Sequence, residues 1–498
     1  MDSVKTARRR SFASLRVTLN YVLGCTTTTR YLIPVFLVLL AVALRWGYMA
    51  GAPRGMQFTH VDAQGYHQLA VNLLERGVFS MNTEPPYRVD NIRAPLYPLF
   101  VAFWYAIGGP DPDFVVWVNP LLDALTVAAL LKLGALALGR RGGRLAALLY
   151  ALNPSSWRFC NELLTEIFFG LLLTLALWWF ARYLRFRRDR DALVCGVFFG
   201  AGILCKPNIQ FLPLALGMLV LHGLYTRQRH WWRGAAVVAG VIALMLLPWC
   251  VRNAAIFGEF FYTRTFEDNL AHVSAVATKA HVNGENVAPW TPRWEELYDE
   301  IVMLAAQQYR WEPVPEATLS TRDRDLRLKQ ITATAREIVR LHPVDFFVSH
   351  TSSWLRSFIP QEHKFWYARL TQQDWAEIAP EGEAFGRALA ALGRGRVGEA
   401  VRILYDERLR ALPPLALAFW VGWSILYGAV AILFCRGALR MRPRLLALFL
   451  VITIFYVTFV PGPISQIRFR LPVTPLILLL AAAGMDFRFW IFDFRSET

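Results

Sequence analysis

"APLYPLFVAFWYAIGG", residues 94–109, is an apolar stretch whose reading fixes how the whole chain is threaded. It offers only about 15 apolar residues, fewer than the roughly 20 a bilayer-crossing helix needs, and it begins with Pro95 and Pro98. Its neighbours decide its status. Other apolar runs lie at roughly 32–50, 114–138, 143–157, 163–183, 191–206, 209–226, 232–250, 413–435, 443–461 and 470–485. Between them stand arginine clusters at 8–10, 140/141/144, 182–190, 227/229/233 and 436–444. Loops on the cytoplasmic side of membrane proteins carry such clusters. If 94–109 does not cross, every cluster falls on one side. If it crosses, all the later ones flip outward. The stretch therefore reads as a juxtamembrane or re-entrant element within a chain of about ten transmembrane helices, both ends cytoplasmic.

Composition supports this class. Of 498 residues, 55% are hydrophobic and 14% aromatic, and the mean hydropathy is +0.33. No soluble domain of this length hides so much apolar surface, and a barrel would show alternating ten-residue strands instead. The fold class expected is an all-α polytopic membrane protein. The net charge of +16 follows from the loop arginines and membrane-lipid contact, and no nucleic-acid partner is expected. Cys25, Cys160, Cys195, Cys205, Cys250 and Cys435 lie in or beside apolar runs without paired spacing, so they read as buried membrane residues. The basic N-terminus, "MDSVKTARRRSFASLR", leads to no small-residue cleavage site and reads as the cytoplasmic flank of a retained span.

The threading implies three parts. Residues 1–250 form an N-terminal transmembrane module with a first external loop at 51–113. Residues 251–411 form an external, mainly helical domain, and 412–498 supply C-terminal transmembrane helices. Within the external stretch, "TPRWEELYDEIVMLAAQQY" and "EGEAFGRALAALGRGRVGEAVRILYDERL" read as helices. "STRDRDLRLKQITATAREIVRLHP" reads as another, with a capping box at Ser320 and Asp323 and a stop at His342-Pro343.

The first external loop contains "THVDAQGYHQLAVNLLERGVFS", residues 59–80. Asp62, Tyr66, Ala70 and Leu73 share one helical face, and Gly77 ends the element. Asp62 is open to two readings, an N-cap of an interfacial helix or a functional carboxylate. An external loop has little need of an ordered helix unless it covers something. It continues into "PYRVDNIRAPLYP", where Arg93 precedes a proline-stiffened return to the membrane. Other charged residues fall at the same outer level: Glu162, Glu166, Lys206, Arg252, Arg468 and Arg470. Any single basic residue there reads most simply as snorkelling to headgroups. Together the five cations suggest an anionic ligand at the outer leaflet. His60 and His67 stand seven apart, too far to share a metal easily, and no HExxH, GxGxxG or Walker motif is present.

These blocks are similar to the GT-C glycosyltransferases. "DAQGYHQLAVNLLERGVFS…RAPLYPLFVAFWYAIGG" resembles the first external loop of the branch holding protein O-mannosyltransferases and lipid A aminoarabinose transferases. "NELLTEIFFGLLL", "GAGILCKPNIQFLPL", "RNAAIFGEFFYTRT" and "QIRFRLPVTPLILLLAAAG" resemble later blocks in the same order. The resemblance implies a GT-C fold and a transferase that moves a sugar from a polyprenyl-phosphate-linked donor to an acceptor on the outer face, usually with inversion. The acceptor stays open between a glycolipid, a polysaccharide and a protein. Asp62 matches the catalytic carboxylate and would be the general base. Arg93, Lys206, Arg252, Arg468 and Arg470 would stabilise the leaving lipid phosphate, with Tyr66, Glu162 and Glu166 at the sugar or acceptor. Some relatives pair the loop aspartate with a glutamate. Here Ala63 and Gln64 follow it, which counts against a protein O-mannosyltransferase and favours a metal-independent mechanism, with no cofactor firmly implied and a divalent cation left open. The expected location is a bacterial inner membrane with the site facing the periplasm. The alternatives are a transporter or flippase of an anionic lipid-linked saccharide, for which no inverted halves are visible, and a non-enzymatic assembly partner.

Overall fold

A computed structural model describes residues 27–485 apart from 53–57, 59, 208–216, 218–231, 286, 316–317, 361, 372–386, 389–390, 393–394, 411 and 443. The apolar runs form helices, because a chain in lipid must satisfy its backbone internally, and no strand occurs among the described residues. The main helices are α1 (Thr27–Ala50), α2 (Val61–Arg76), α3 (Leu96–Gly108), α4 (Asn119–Ala151), α5 (Thr165–Phe186), α6 (Asp189–Cys205) and α7 (Trp232–Phe257). They continue with α8 (Pro292–Tyr309), α9 (Thr321–Leu341), α10 (Pro343–Arg356), α11 (Glu362–Thr371), α12 (Pro414–Arg440), α13 (Arg444–Phe459) and α14 (Thr474–Gly484).

Among the described residues, six helical segments are long and apolar enough to cross a bilayer: Tyr31–Ala50, Pro112–Ala151, Glu166–Phe186, Trp232–Phe257, Pro414–Arg440 and Ile467–Gly484. That is fewer than the ten crossings expected, and the differences have physical reasons: α6, at 17 residues, and α13, at 16, fall just short of the length required. The run at 209–226 lies outside the described residues. Pro112–Ala151 covers 40 residues, about 60 Å of helix against a core of about 30 Å, and it contains a reversal. Gly139, at φ 78°, breaks it. A methyl on Gly134 would stand 2.5 Å from the Gly143 Cα, whereas those positions lie about 14 Å apart in a straight helix. The chain doubles back there on two glycines. The 13 residues of α3 extend about 20 Å, short of the hydrocarbon core, which accords with a juxtamembrane element. Cys435 lies exposed on α12, unlike the four other described cysteines, which are buried.

Small residues also set the packing of the C-terminal pair. A methyl on Gly437 of α12 would meet the Leu480 carbonyl oxygen of α14, and one on Gly484 would meet that of Leu433. Two helices approach this closely only where both lack side chains.

The external stretch has its own core, formed by Trp294, Leu297 and Ile301 of α8 against Ile331 and Ala335 of α9. The Trp294 indole donates to the His272 carbonyl at 3.1 Å. Ser320 caps α9: its hydroxyl accepts from the Asp323 N–H at 3.2 Å and donates to the Asp323 carboxylate at 2.6 Å. The helix ends at Leu341, ahead of His342-Pro343. One expected helix is broken. In the stretch 381–409, Gly395 takes φ 73° and a helix restarts at Val397–Leu404, while 381–386 lie outside the described residues. The external helices meet the first external loop through Asn91–Asp325 at 2.7 Å and α13 through Trp354–Thr458 at 3.0 Å.

Candidate active site

Helix α2 carries the loop aspartate. Its N-cap is His60, with extended backbone and no capping side-chain bond, so the capping reading of Asp62 is corrected. Asp62 lies two residues inside the first turn, where the positive helix end favours a carboxylate. Its side chain is freed to face across the loop. Gly77 closes α2 at φ 67°, as the sequence suggested.

Two arginines from remote segments meet on that carboxylate. Arg93 Nη2 donates to Asp62 Oδ1 at 3.1 Å, and Arg468 Nη1 lies 2.9 Å from Asp62 Oδ2. Arg93 is placed by local chemistry. The Asp90 carboxylate accepts from the N–H groups of Ile92 at 3.1 Å and Arg93 at 2.7 Å, a tight turn that ends at the arginine. The guanidinium then crosses α2 over Gly65, where an added methyl would stand 3.0 Å from it. It also lies 5.5 Å from the centre of the Tyr66 ring. Arg468 projects from a one-turn helix, Ile467–Arg470. The Asp62 side chain remains 39% accessible, against 18% for Arg93 and 14% for Arg468. Burial alone would raise the Asp62 carboxyl, but Arg468 and Arg93 outweigh it and hold it below the ordinary carboxylate range. Burial pushes the half-buried Tyr66 hydroxyl well above the usual phenol range.

The remaining candidates separate into other groups. Lys206, just past the end of α6, gives its ammonium to Glu166 at 2.7 Å and lies 5.0 Å from the Phe469 ring. It therefore stands behind Arg468 with its charge already paired. Glu162 is fully buried, with Arg158 at 3.1 Å and His60 at 3.3 Å. Burial and then the Arg468 guanidinium push His60 down to about 4, so at neutral pH it meets Glu162 uncharged. Arg252 turns to the Asn253 side chain at 2.7 Å and stacks 4.2 Å from the Trp249 ring. Arg470 bonds Glu362 at 3.2 Å and the Tyr427 hydroxyl. Of the five cations proposed for one anion, only Arg93 and Arg468 reach Asp62.

Arg158 and His60 had no role in the sequence reading. The Arg158–Glu162 spacing of four was the available signal for the first, although the helix carrying Arg158 ends at Phe159, before Glu162. Glu362 had none, since its partners are remote in the chain. Among the described residues, no group of three or more His, Cys, Asp or Glu is arranged to hold a metal ion.

Comparison with known proteins adds a family likeness. Residues 92–251 match the family described as dolichyl-phosphate-mannose-protein mannosyltransferase. No curated protein matches the chain. Among solved structures, the chain is similar to the apo oligosaccharyltransferase of Archaeoglobus fulgidus at 14% identity, covering 91% of this chain and 49% of that one, with a TM-score of 0.48. It is also similar to the oligosaccharyltransferase AglB of that archaeon in complex with an inhibitory peptide and a dolichol-phosphate, at 16% identity, 92% and 50% coverage and a TM-score of 0.43. A third likeness is to ArnT from Cupriavidus metallidurans bound to undecaprenyl phosphate, at 13% identity, 90% and 77% coverage and a TM-score of 0.39. The chain spans about half the length of the archaeal structures. The matched residues include Arg93, Glu162, Glu166 and Lys206, while Asp62 and Arg468 lie outside them. The family match bears out the resemblance read from the sequence: this helical, multi-span chain is similar to the GT-C glycosyltransferases.

Proposed function

We propose that the chain is a glycosyltransferase that moves a sugar from a polyprenyl-phosphate-linked donor to an acceptor hydroxyl on the outer face of a bacterial inner membrane, with inversion. The observation that carries this reading is the accessible Asp62 carboxylate held between Arg93 and Arg468. Asp62 takes the acceptor's proton, the acceptor oxygen attacks the anomeric carbon, and the bond to the lipid phosphate breaks with its electrons on the phosphate. Arginine suits the leaving group because it stays charged and can grip a phosphate through two donors.

The resting pairing fits this sequence of events. With both arginines on Asp62, the carboxylate is a weak base. A donor phosphate competes for the same guanidiniums, and as they turn to it Asp62 recovers basicity. Base and donor are thereby coupled, and the base is at full strength only when the phosphate is in place. Tyr66, against the Arg93 guanidinium, and the Glu166–Lys206 pair supply the polar surroundings of the sugar.

The test is release of polyprenyl phosphate and transfer of label from a radiolabelled polyprenyl-phosphate mannose, in membranes holding the wild type or Asp62→Asn. Loss of transfer with unchanged insertion is expected. Near-normal turnover in the variant would place the base elsewhere. The outer location is tested separately by a cysteine introduced near position 110, expected to react with an impermeant reagent from outside.

A further inference from the structure

Arg468 sits on a turn too short to hold itself. The Ile467–Arg470 helix has four residues and is flanked by 3-10 turns at Gly462–Ile464 and Leu471–Val473. One helical turn gains almost nothing from its own hydrogen bonds, so side-chain anchors decide where it points. Residues two apart on a helix project about 200° apart. Arg468 accordingly faces Asp62, while Arg470 faces the opposite way into a buried polar node.

That node gathers four distant segments. Glu362, at the start of α11, is 2% exposed and accepts from Ser155, from Tyr427 of α12 and from Arg470, the last at 3.2 Å. Arg470, 5% exposed, also donates to the Tyr427 hydroxyl. A buried carboxylate and guanidinium in this arrangement resist separation, because either left alone would be an uncompensated charge. The node therefore clamps the back of the turn whose front carries Arg468.

We propose that Glu362 is a positioning residue for the transfer reaction: by fixing Arg470 it aims Arg468 at the Asp62 carboxylate. The inference rests on the proposed roles of Asp62 and Arg468. Glu362 itself bonds neither of them. Its contribution is geometric, and since α11 belongs to the external stretch, a shift of that stretch is transmitted to the Arg468 side chain.

Glu362→Gln keeps the shape of the clamp and removes its charge. In the full-length protein in lipid, with polyprenyl-phosphate mannose as donor, turnover is expected to fall about tenfold to a hundredfold. The acid limb of the kcat/KM profile, which reports the donor-free enzyme with Arg468 on Asp62, is expected to move to higher pH. The groups facing Asp62 are the cations Arg93, Arg468 and Lys206, the Glu166 carboxylate, the Tyr66 hydroxyl and the neutral His60 imidazole, and loosening Arg468 removes the largest single restraint on its carboxyl. A purely structural role would lower the amount of active protein and leave the limb in place. Wild-type turnover, or reduced turnover with an unmoved limb, overturns the proposal. If Glu362→Gln does not fold, the double variant Glu362→Gln, Arg470→Gln removes both buried charges together. It is expected to fold and to show the shifted limb, and a wild-type limb there also overturns the proposal. A wild type that releases polyprenyl phosphate from none of the polyprenyl-phosphate sugars supplied, mannose and aminoarabinose included, sinks both readings, whereas an active wild type with an unshifted Glu362→Gln profile sinks this one alone.

Discussion

Two arginine–aspartate pairs in this molecule use the same chemistry to opposite ends. Arg45 of α1 and Asp123 of α4 are wholly buried, and every N–H of Arg45 is used. They go to Asp123, to the carbonyls of Ala41 at 3.2 Å, Ala151 at 2.8 Å and Tyr150 at 3.3 Å, and to the Ser156 hydroxyl at 2.8 Å. The Tyr150 hydroxyl completes Asp123. Asp62 instead serves two cations through one exposed carboxylate. The inner pair has no donor left for a ligand and nothing to gain by opening, so it rivets α1 to α4. The outer pair is reachable and held by cations an anion can recruit. Completion of the hydrogen bonding, rather than the residue types, separates a structural ion pair from a candidate active site.

The strongest test of that contrast exchanges the two aspartates. Asp62→Asn is expected to cut sugar transfer by roughly 100- to 10,000-fold with normal yield and melting temperature. Asp123→Asn is expected to leave Arg45 uncompensated and to cost about 3–5 kcal/mol of stability, read as loss of monodisperse protein after extraction. The contrast breaks if the Asp62 variant is the one that fails to assemble.

Arg468→Lys sharpens it further. Lysine keeps the charge and loses the fork, so turnover is expected to drop about tenfold to a hundredfold, the range of a lost charged hydrogen bond of about 1.5–3 kcal/mol. Folding should stay intact, because the side chain is partly open to solvent. Gly65→Ala is a smaller perturbation. Its methyl would press on the Arg93 guanidinium, a flexible group that yields, and about 1 kcal/mol or roughly a fivefold loss of transfer is expected.

The last effect, absent at neutral pH, is on acid stability. His60 titrates at about 4 in the fold, against roughly 6.5 unfolded. The unfolded state binds the proton first, so stability falls as pH drops from about 6.5 towards 4 and levels off below. His60→Gln should flatten its share of that slope, measured as melting temperature against pH. An unchanged slope would show that His60 is not the buried neutral group described.

The sequence by itself determined most of the helices and several of their ends. Apolar runs must close their own backbone bonds in lipid, Gly77 takes the left-handed turn that ends α2 at little steric cost, and Ser320 with His342-Pro343 bounds α9. It also singled out Asp62, since a carboxylate on an ordered external loop is unusual whatever surrounds it. The doubling-back at Gly139 was legible as two apolar runs, but not its glycine contact. Only the tertiary structure decided which charges meet. Lys206, Arg252 and Arg470 look equivalent to Arg93 and Arg468 along the chain, yet Glu166, Asn253 and Glu362 claim them. Residue type and spacing fix what a side chain can do and which helix face it occupies. The pairing between remote segments is set by how those faces pack, and here that packing brings two of five cations to Asp62.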